Sequence, residues 1–197
     1  MKLLIRFSTV ALLFAALGPA AFGNQTYSFN QSGSTIAFAV HQFLGTVRGK
    51  FARFEGKIDV DPGTPGHSSV WARIQVASID TGIATRDEHL RGPELFNAAK
   101  YPQITFKSRG VKQTGSDKAD IVGDLTMHGT TRQITLHVRL MTPLSRQTPT
   151  LRTRWEVTTG PIQRRDFGLV WSQSVEAISM ISQEVVPRIE IEAVHVK

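Results

Sequence analysis

Apolar and polar residues alternate along much of the chain, and a repeat of two is what a strand with one buried face requires. In "TIAFAV", Ile36, Phe38 and Val40 share a face; in "VWARIQVAS", Val70, Ala72, Ile74 and Val76 do. Ile121, Leu125 and Met127 repeat the pattern around Gly123, and Ile134, Leu136, Val138 and Leu140 continue it. Near the end, Ile189, Ile191 and Ala193 alternate with Arg188, Glu190 and Glu192. These are half-buried strands, apolar on one side and polar on the other. Turn chemistry joins them: "DPGTPG" at 61–66, "TGSDK" at 114–118 and "HGTT" at 128–131. Gly49, Gly56, Gly123 and Gly168 fall inside the apparent strands, where glycine marks a bend, a bulge or a close approach. About eight strands predict an all-β fold with one short helix, an antiparallel barrel or sandwich. A closed barrel of about eight strands is either filled by its side chains or holds one small ligand.

The helix expected is "GIATRDEHLR" at 82–91, with Thr85 as N-cap ahead of Asp87 and Glu88. Gly92-Pro93 then breaks it. Leu95 and Phe96 follow in a segment too punctuated for a regular element, Tyr101-Pro102 turns the chain again, and "QITFKS" resumes a strand. An apolar, kinked plug of this kind either fills core volume or covers one end of a barrel.

The first residues read as an export leader rather than as fold. Lys2 and Arg6 precede the apolar run "FSTVALLFAALG", and Ala21 and Gly23 supply small residues before Asn24. The run is shorter than the roughly 20 residues that a membrane span needs. Cleavage after Gly23 would leave 197 − 23 = 174 residues, residues 24–197, expected to form a single domain. The expected location is the periplasm. With no cysteine anywhere in the chain, disulfides and thiol chemistry are excluded and the core alone must hold the fold.

The formal charge of +7 falls to +5 without Lys2 and Arg6, a balance that favours transient contact with an anionic membrane surface. Nucleic acid is not expected, because the basic residues are scattered and no recognition motif is present. "RTR" at 152–154 and "RR" at 164–165 read as solvated strand faces. His41, His67, His89, His128, His137 and His195 lack metal-ligand spacing, so no metal is expected. Asp80, Asp87 and Glu88 invite a hydrolytic reading, since paired carboxylates cleave glycosides. Asp87 and Glu88 are adjacent, however, and diverge on a helix, and Asp87 is better placed as a partner of the helix dipole. No nucleophile elbow or phosphate loop occurs, so no catalytic residues and no cofactor are expected.

"RDEHLRGPELFNAAKYPQITFKS" at 86–108 resembles the signature of the YceI-like family of exported polyisoprenoid-binding proteins. Arg86, Asp87, His89, Leu90, Phe96, Tyr101, Pro102, Thr105, Phe106 and Ser108 carry the likeness. "VRGKFARFEGKI" at 47–58, "IVGDLTMHGTTRQITL" at 121–136 and "RRDFGLVW" at 164–171 extend it over most of the chain. Gly92 stands where the family usually has Ser, beside an unusual Pro93.

The resemblance implies a lipocalin-like barrel with an apolar interior cavity. It also implies a carrier that encloses a long isoprenoid, a quinone tail or a polyprenyl phosphate. Another long-chain amphiphile, a fatty acid or fatty amide, is the alternative cargo. A homodimer is left open. Period-two patterning nominates the residues facing the cavity: Phe38, Phe54, Ile58, Ile74, Val76, Leu90, Phe96, Phe106, Leu125, Met127, Leu136, Val138, Phe167 and Trp171. Leu90, Leu95, Phe96 and Tyr101 would then cover one end of it.

Overall fold

The computed structural model describes residues 24–144, 149–171 and 180–196; the leader expected at 1–23 lies outside them. In chain order the strands are β1 (Gln25–Asn30), β2 (Thr35–Gln42), β3 (Gly45–Phe51), β4 (Phe54–Val60), β5 (Ser69–Gln75) and β6 (Ile79–Asp80). Helix α1 (Ala84–Arg91) follows. Then come β7 (Gln103–Gln113), β8 (Lys118–Met127), β9 (Thr130–Leu140), β10 (Arg152–Thr159), β11 (Ile162–Gln163) and β12 (Glu184–His195). All pairings are antiparallel, in the order β1-β4-β5-β7-β8-β9-β10-β12, and β12 returns to β1 to close the barrel. Twelve residues long, β12 has room on one edge for both β1 and β2. Through β2 the sheet runs on to β3 and the short β6. An all-β, antiparallel lipocalin-like barrel with a single short helix is therefore the architecture.

The two ends of the barrel are built differently. At one end, three connections meet: residues 61–68, residues 114–117 and the segment after Leu140. Asp61 Oδ1 accepts from the Gly63 and Thr64 amides and shapes the first of these. The other end carries α1 and the segment 92–102. There the β8–β9 turn has His128 at φ 51° and Gly129 at φ 75°, both positive as a two-residue hairpin turn demands. A Cβ on Gly129 would come within 2.7 Å of the Tyr101 ring, so glycine serves that position twice over. Tyr101 packs edge-on to His128 at 4.6 Å, and His128 Nδ1 lies 3.1 Å from the Phe167 carbonyl oxygen. These contacts tie 101, 128 and 167 into one closure.

Local reading of the sequence failed at a few places. Ile83, not Thr85, holds the N-cap position of α1, with no side-chain cap. Asp87 does lie in the first turn, but it is buried, accepting from both the amide and the hydroxyl of Thr81. Gly168 is not in a strand: at φ 73° it ends a 3₁₀ turn, Arg164–Phe167. Arg164 in that turn is 4% exposed, donating to the carbonyls of Ser182, Leu169 and Ile181, so of "RR" only Arg165 is exposed. "RTR" is one: Arg152 and Arg154 are exposed and both reach Glu192. Their hydrogen bonds, Arg152 first, hold the Glu192 carboxyl below its ordinary pKa.

Candidate functional site

The barrel encloses a cavity of about 1010 Å³, at the upper limit of the roughly 300–1,000 Å³ of small-molecule sites. Of the residues nominated by alternation, Phe38, Ile58, Ile74, Leu90, Phe96, Phe106, Leu125, Met127, Leu136, Val138 and Trp171 line it. Phe54, Val76 and Phe167 do not; they are 5%, 1% and 2% exposed and belong to the packed core. Each has a local cause. Val76 begins a 3₁₀ turn, Val76–Ser78, whose first amide bonds the Pro102 carbonyl and takes the side chain off the β5 face. Phe54 follows the β3–β4 corner, where Ala52 and Arg53 bond Ser78 and fix the chain beside that turn. Phe167 sits in the 3₁₀ turn bound to His128.

Three inward glycines explain why so many aromatic rings leave a hollow. A Cβ on Gly49 would lie 2.5 Å from Phe38 Cζ, one on Gly56 2.1 Å from Phe29 Cζ, and one on Gly123 2.4 Å from Phe106 Cζ. Phe38 faces Gly49, and Phe29 faces Gly56, as direct cross-strand partners. Each ring therefore lies against bare backbone rather than projecting across the barrel, which keeps the bore open.

Several lining residues were missed by sequence reading. Trp155 and Val157 face the cavity, and their alternation with Arg154, Glu156 and Thr158 was legible behind the basic run. Val111 also lines it; the register shift between Ser108 and Gly110 moves the inward parity of β7 from Phe106 to Val111. Gly110 was the available signal.

The helix end is covered by the kinked plug. Leu90 and Leu95 are buried and Phe96 half-buried, and all three line the cavity. Phe96 meets Phe51 edge-on at 6.4 Å, and Phe51 meets Phe38 at 5.7 Å. Trp171 closes the rim edge-on to His89 at 5.1 Å. Tyr101 does not line the cavity; it belongs to the closure with Gly129 and His128.

The acids of this region have structural tasks. Asp80 Oδ1 accepts from the Gly82 amide and the carboxylate faces Lys50 at 3.9 Å; Asp87, 6% exposed, holds Thr81; Glu88 is exposed. Asp87, expected as a partner of the helix dipole, lies in the first turn of α1 but is buried and holds Thr81. Charged groups that do reach the cavity are Arg86 and Arg164 at the helix end, and Asp61, Asp117 and Lys118 at the loop end. Among the described residues no group of three or more His, Cys, Asp or Glu could hold a metal ion.

The fold is an antiparallel barrel around a mostly apolar chamber. Comparison with known proteins gives it a lineage. The model of the YceI-like domain matches residues 27–193. The YceI protein of Salmonella newport is 33% identical over 199 residues, covering 100% of this chain and 99% of that one. This chain belongs to the YceI-like family. Among solved structures, Burkholderia cenocepacia BcnA matches with a TM-score of 0.72 at 24% identity, covering 85% of this chain and 99% of its own. A polyisoprenoid-binding domain from Saccharophagus degradans, implicated in plant cell wall breakdown, matches with a TM-score of 0.63 at 21% identity, over 86% of this chain and 98% of that one. At these identities the two structures speak for the fold.

Proposed function

We propose that this protein is a periplasmic, non-catalytic carrier that encloses the chain of a polyisoprenoid, such as a quinone tail or a polyprenyl phosphate, in its barrel. The observation that carries the reading is the cavity, about 1010 Å³ and walled by alternate apolar residues from almost every strand. Each buried CH₂ contributes roughly 0.8 kcal/mol, so a long chain needs few polar contacts to be held. The polyisoprenoid binding of the Saccharophagus relative supports the same cargo. Asp80, Asp87 and Glu88 are engaged or solvated rather than convergent, which favours a carrier over a hydrolase. The leader-like residues 1–23 favour export of a single mature domain, and the net positive charge favours transient contact with anionic membrane during loading.

Phe96→Ala tests this reading. Phe96 is half-buried and faces both Phe51 and the cavity. The delipidated variant is expected to lose less than the roughly 3–5 kcal/mol that truncating a fully packed Phe costs. Reloading with a polyprenyl phosphate should then raise the melting temperature less than it does in the wild type, because a ligand contact has gone and the stabilisation follows RT ln(1 + [L]/Kd). Melting curves of both proteins, empty and reloaded, measure this. Equal destabilisation with and without lipid would make Phe96 a core residue only.

A further inference from the structure

Arg86 brings a full positive charge to the wall of a mostly apolar chamber. Its Nε donates to Thr81 Oγ1 at 2.7 Å and its Nη2 to the Thr81 carbonyl at 2.8 Å. Thr81 is itself fixed by the buried Asp87, whose Oδ1 accepts from the Thr81 amide at 2.9 Å and from its hydroxyl at 2.5 Å. The guanidinium is thus held from the core outward, through Asp87 and then Thr81. Arginine has five N–H donors, and two of its three nitrogens serve Thr81. Among the described residues no carboxylate pairs with Arg86, whereas Arg73, Arg109, Arg139 and Arg152 on the barrel surface each face an acid.

The charges that reach the cavity also divide by position. Asp61, Asp117 and Lys118 stand at the loop end, two acids and one base, where Asp61 faces His67 and Asp117 faces Arg139. The helix end offers Arg86 and Arg164. A cation in apolar surroundings is stabilised by a counter-anion, and an orientated guanidinium suits the oxygens of phosphate or carboxylate.

We infer that the helix end of the cavity is a head-group site for an anionic amphiphile, with Arg86 as the contact to its oxyanion. The inference rests on the carrier reading and sharpens it: the cargo is a polyprenyl phosphate or another acid-headed lipid rather than a neutral quinone or amide. Apolar burial supplies affinity along the chain, and Arg86 selects the head.

Matched pairs of probes test this: a polyprenyl phosphate against the alcohol of the same chain length, and a long-chain fatty acid against its primary amide. The delipidated wild type should bind the charged member of each pair at least about tenfold more tightly, since hydrogen bonds to charged groups contribute that much or more. Arg86→Met should lose the preference, binding the charged member of each pair no more than about threefold more tightly than the neutral one, and Arg86→Lys should keep part of it. Inorganic phosphate alone should leave the melting temperature unchanged, because it buries no chain. Equal binding of charged and neutral partners by the wild type would overturn the inference while leaving the carrier reading intact. So would a preference that survives in Arg86→Met, or a thermal shift by inorganic phosphate equal to the lipid's. Failure of all four lipids to bind would instead remove the carrier reading beneath it. The wild-type comparison decides the sign of the head group even where a variant folds poorly.

Discussion

Leu136→Trp is expected to abolish lipid retention while leaving the barrel folded. Leu136 lies midway along β9, paired with Ile121 on one side and Thr159 on the other, and it faces the cavity. It points inward yet is only half-buried, so its side chain borders empty space rather than packed neighbours. An indole there extends into the void without displacing wall atoms. Filling an apolar cavity is neutral or stabilising for an empty protein, and the delipidated variant should melt at or above the wild-type temperature. Bound lipid loses its path. Excluding even four CH₂ groups forfeits about 3 kcal/mol, which is more than a hundredfold in affinity. Titration of a polyprenyl phosphate into both proteins measures the loss. Undiminished binding would place the lipid outside the barrel.

Gly56→Val should be the most damaging single change on the inner wall. A Cβ at position 56 would stand 2.1 Å from Phe29 Cζ and 2.5 Å from the Trp71 carbonyl oxygen. The ring can swing, but it would swing into the bore; the carbonyl belongs to the β4–β5 ladder, in which Gly56 pairs with Ala72, and cannot retreat without breaking it. Overpacking costs about 1–3 kcal/mol and occasionally more, and this site has a ring and a backbone against it, so a loss above about 3 kcal/mol, or no soluble protein, is expected. Gly49→Ala makes the control. Its nearest obstacles are side-chain atoms, Phe38 Cζ at 2.5 Å and Thr81 Cγ2 at 2.9 Å, so Phe38→Leu should relieve part of the strain, with a coupling of about 0.5–3 kcal/mol in a double-mutant cycle. Denaturant unfolding reads both. Tolerance of valine at 56 within about 0.5 kcal/mol, the range of an ordinary surface change, would mean that the glycine does not seat the ring.

The strands were legible because a period of two is a local property: Ile134, Leu136 and Val138 need no knowledge of their partners to declare a face. Their number and their turns pointed to a barrel or a sandwich, and the resemblance to the YceI-like family implied the barrel. What stayed hidden depends on contacts distant in sequence or on breaks in the period. Val76 keeps the alternation of β5 in sequence and loses it in space, because its amide bonds Pro102 rather than a strand. Val111 sits out of phase until the Ser108–Gly110 bulge is known. Arg164 reads as one half of a basic pair, and only the fold surrounds it with the carbonyls of Leu169, Ile181 and Ser182. Gly49, Gly56 and Gly123 announced a close approach but not its partner; the rings that fill their space come from neighbouring strands.

The carrier reading also accounts for the segment 89–106. Gly92 accepts the end of α1, donating its amide to the Glu88 and His89 carbonyls, and its own carbonyl then receives the Leu95 and Asn97 amides. The Phe96 amide reaches back to the Leu90 carbonyl. This folding-back presents Leu95 and Phe96 to the cavity, beside Leu90 of α1, from a stretch that is neither helix nor strand. A continued helix would have carried Phe96 past the end of the barrel instead.

Organic extraction of the protein purified from its native host, followed by mass spectrometry of the extract, tests the central claim most directly, because it assumes nothing about the ligand. The account predicts a long-chain isoprenoid released in near-stoichiometric amount from wild type and missing from Leu136→Trp prepared in the same way. An extract empty of any lipid, or the same lipid recovered equally from both proteins, would contradict it.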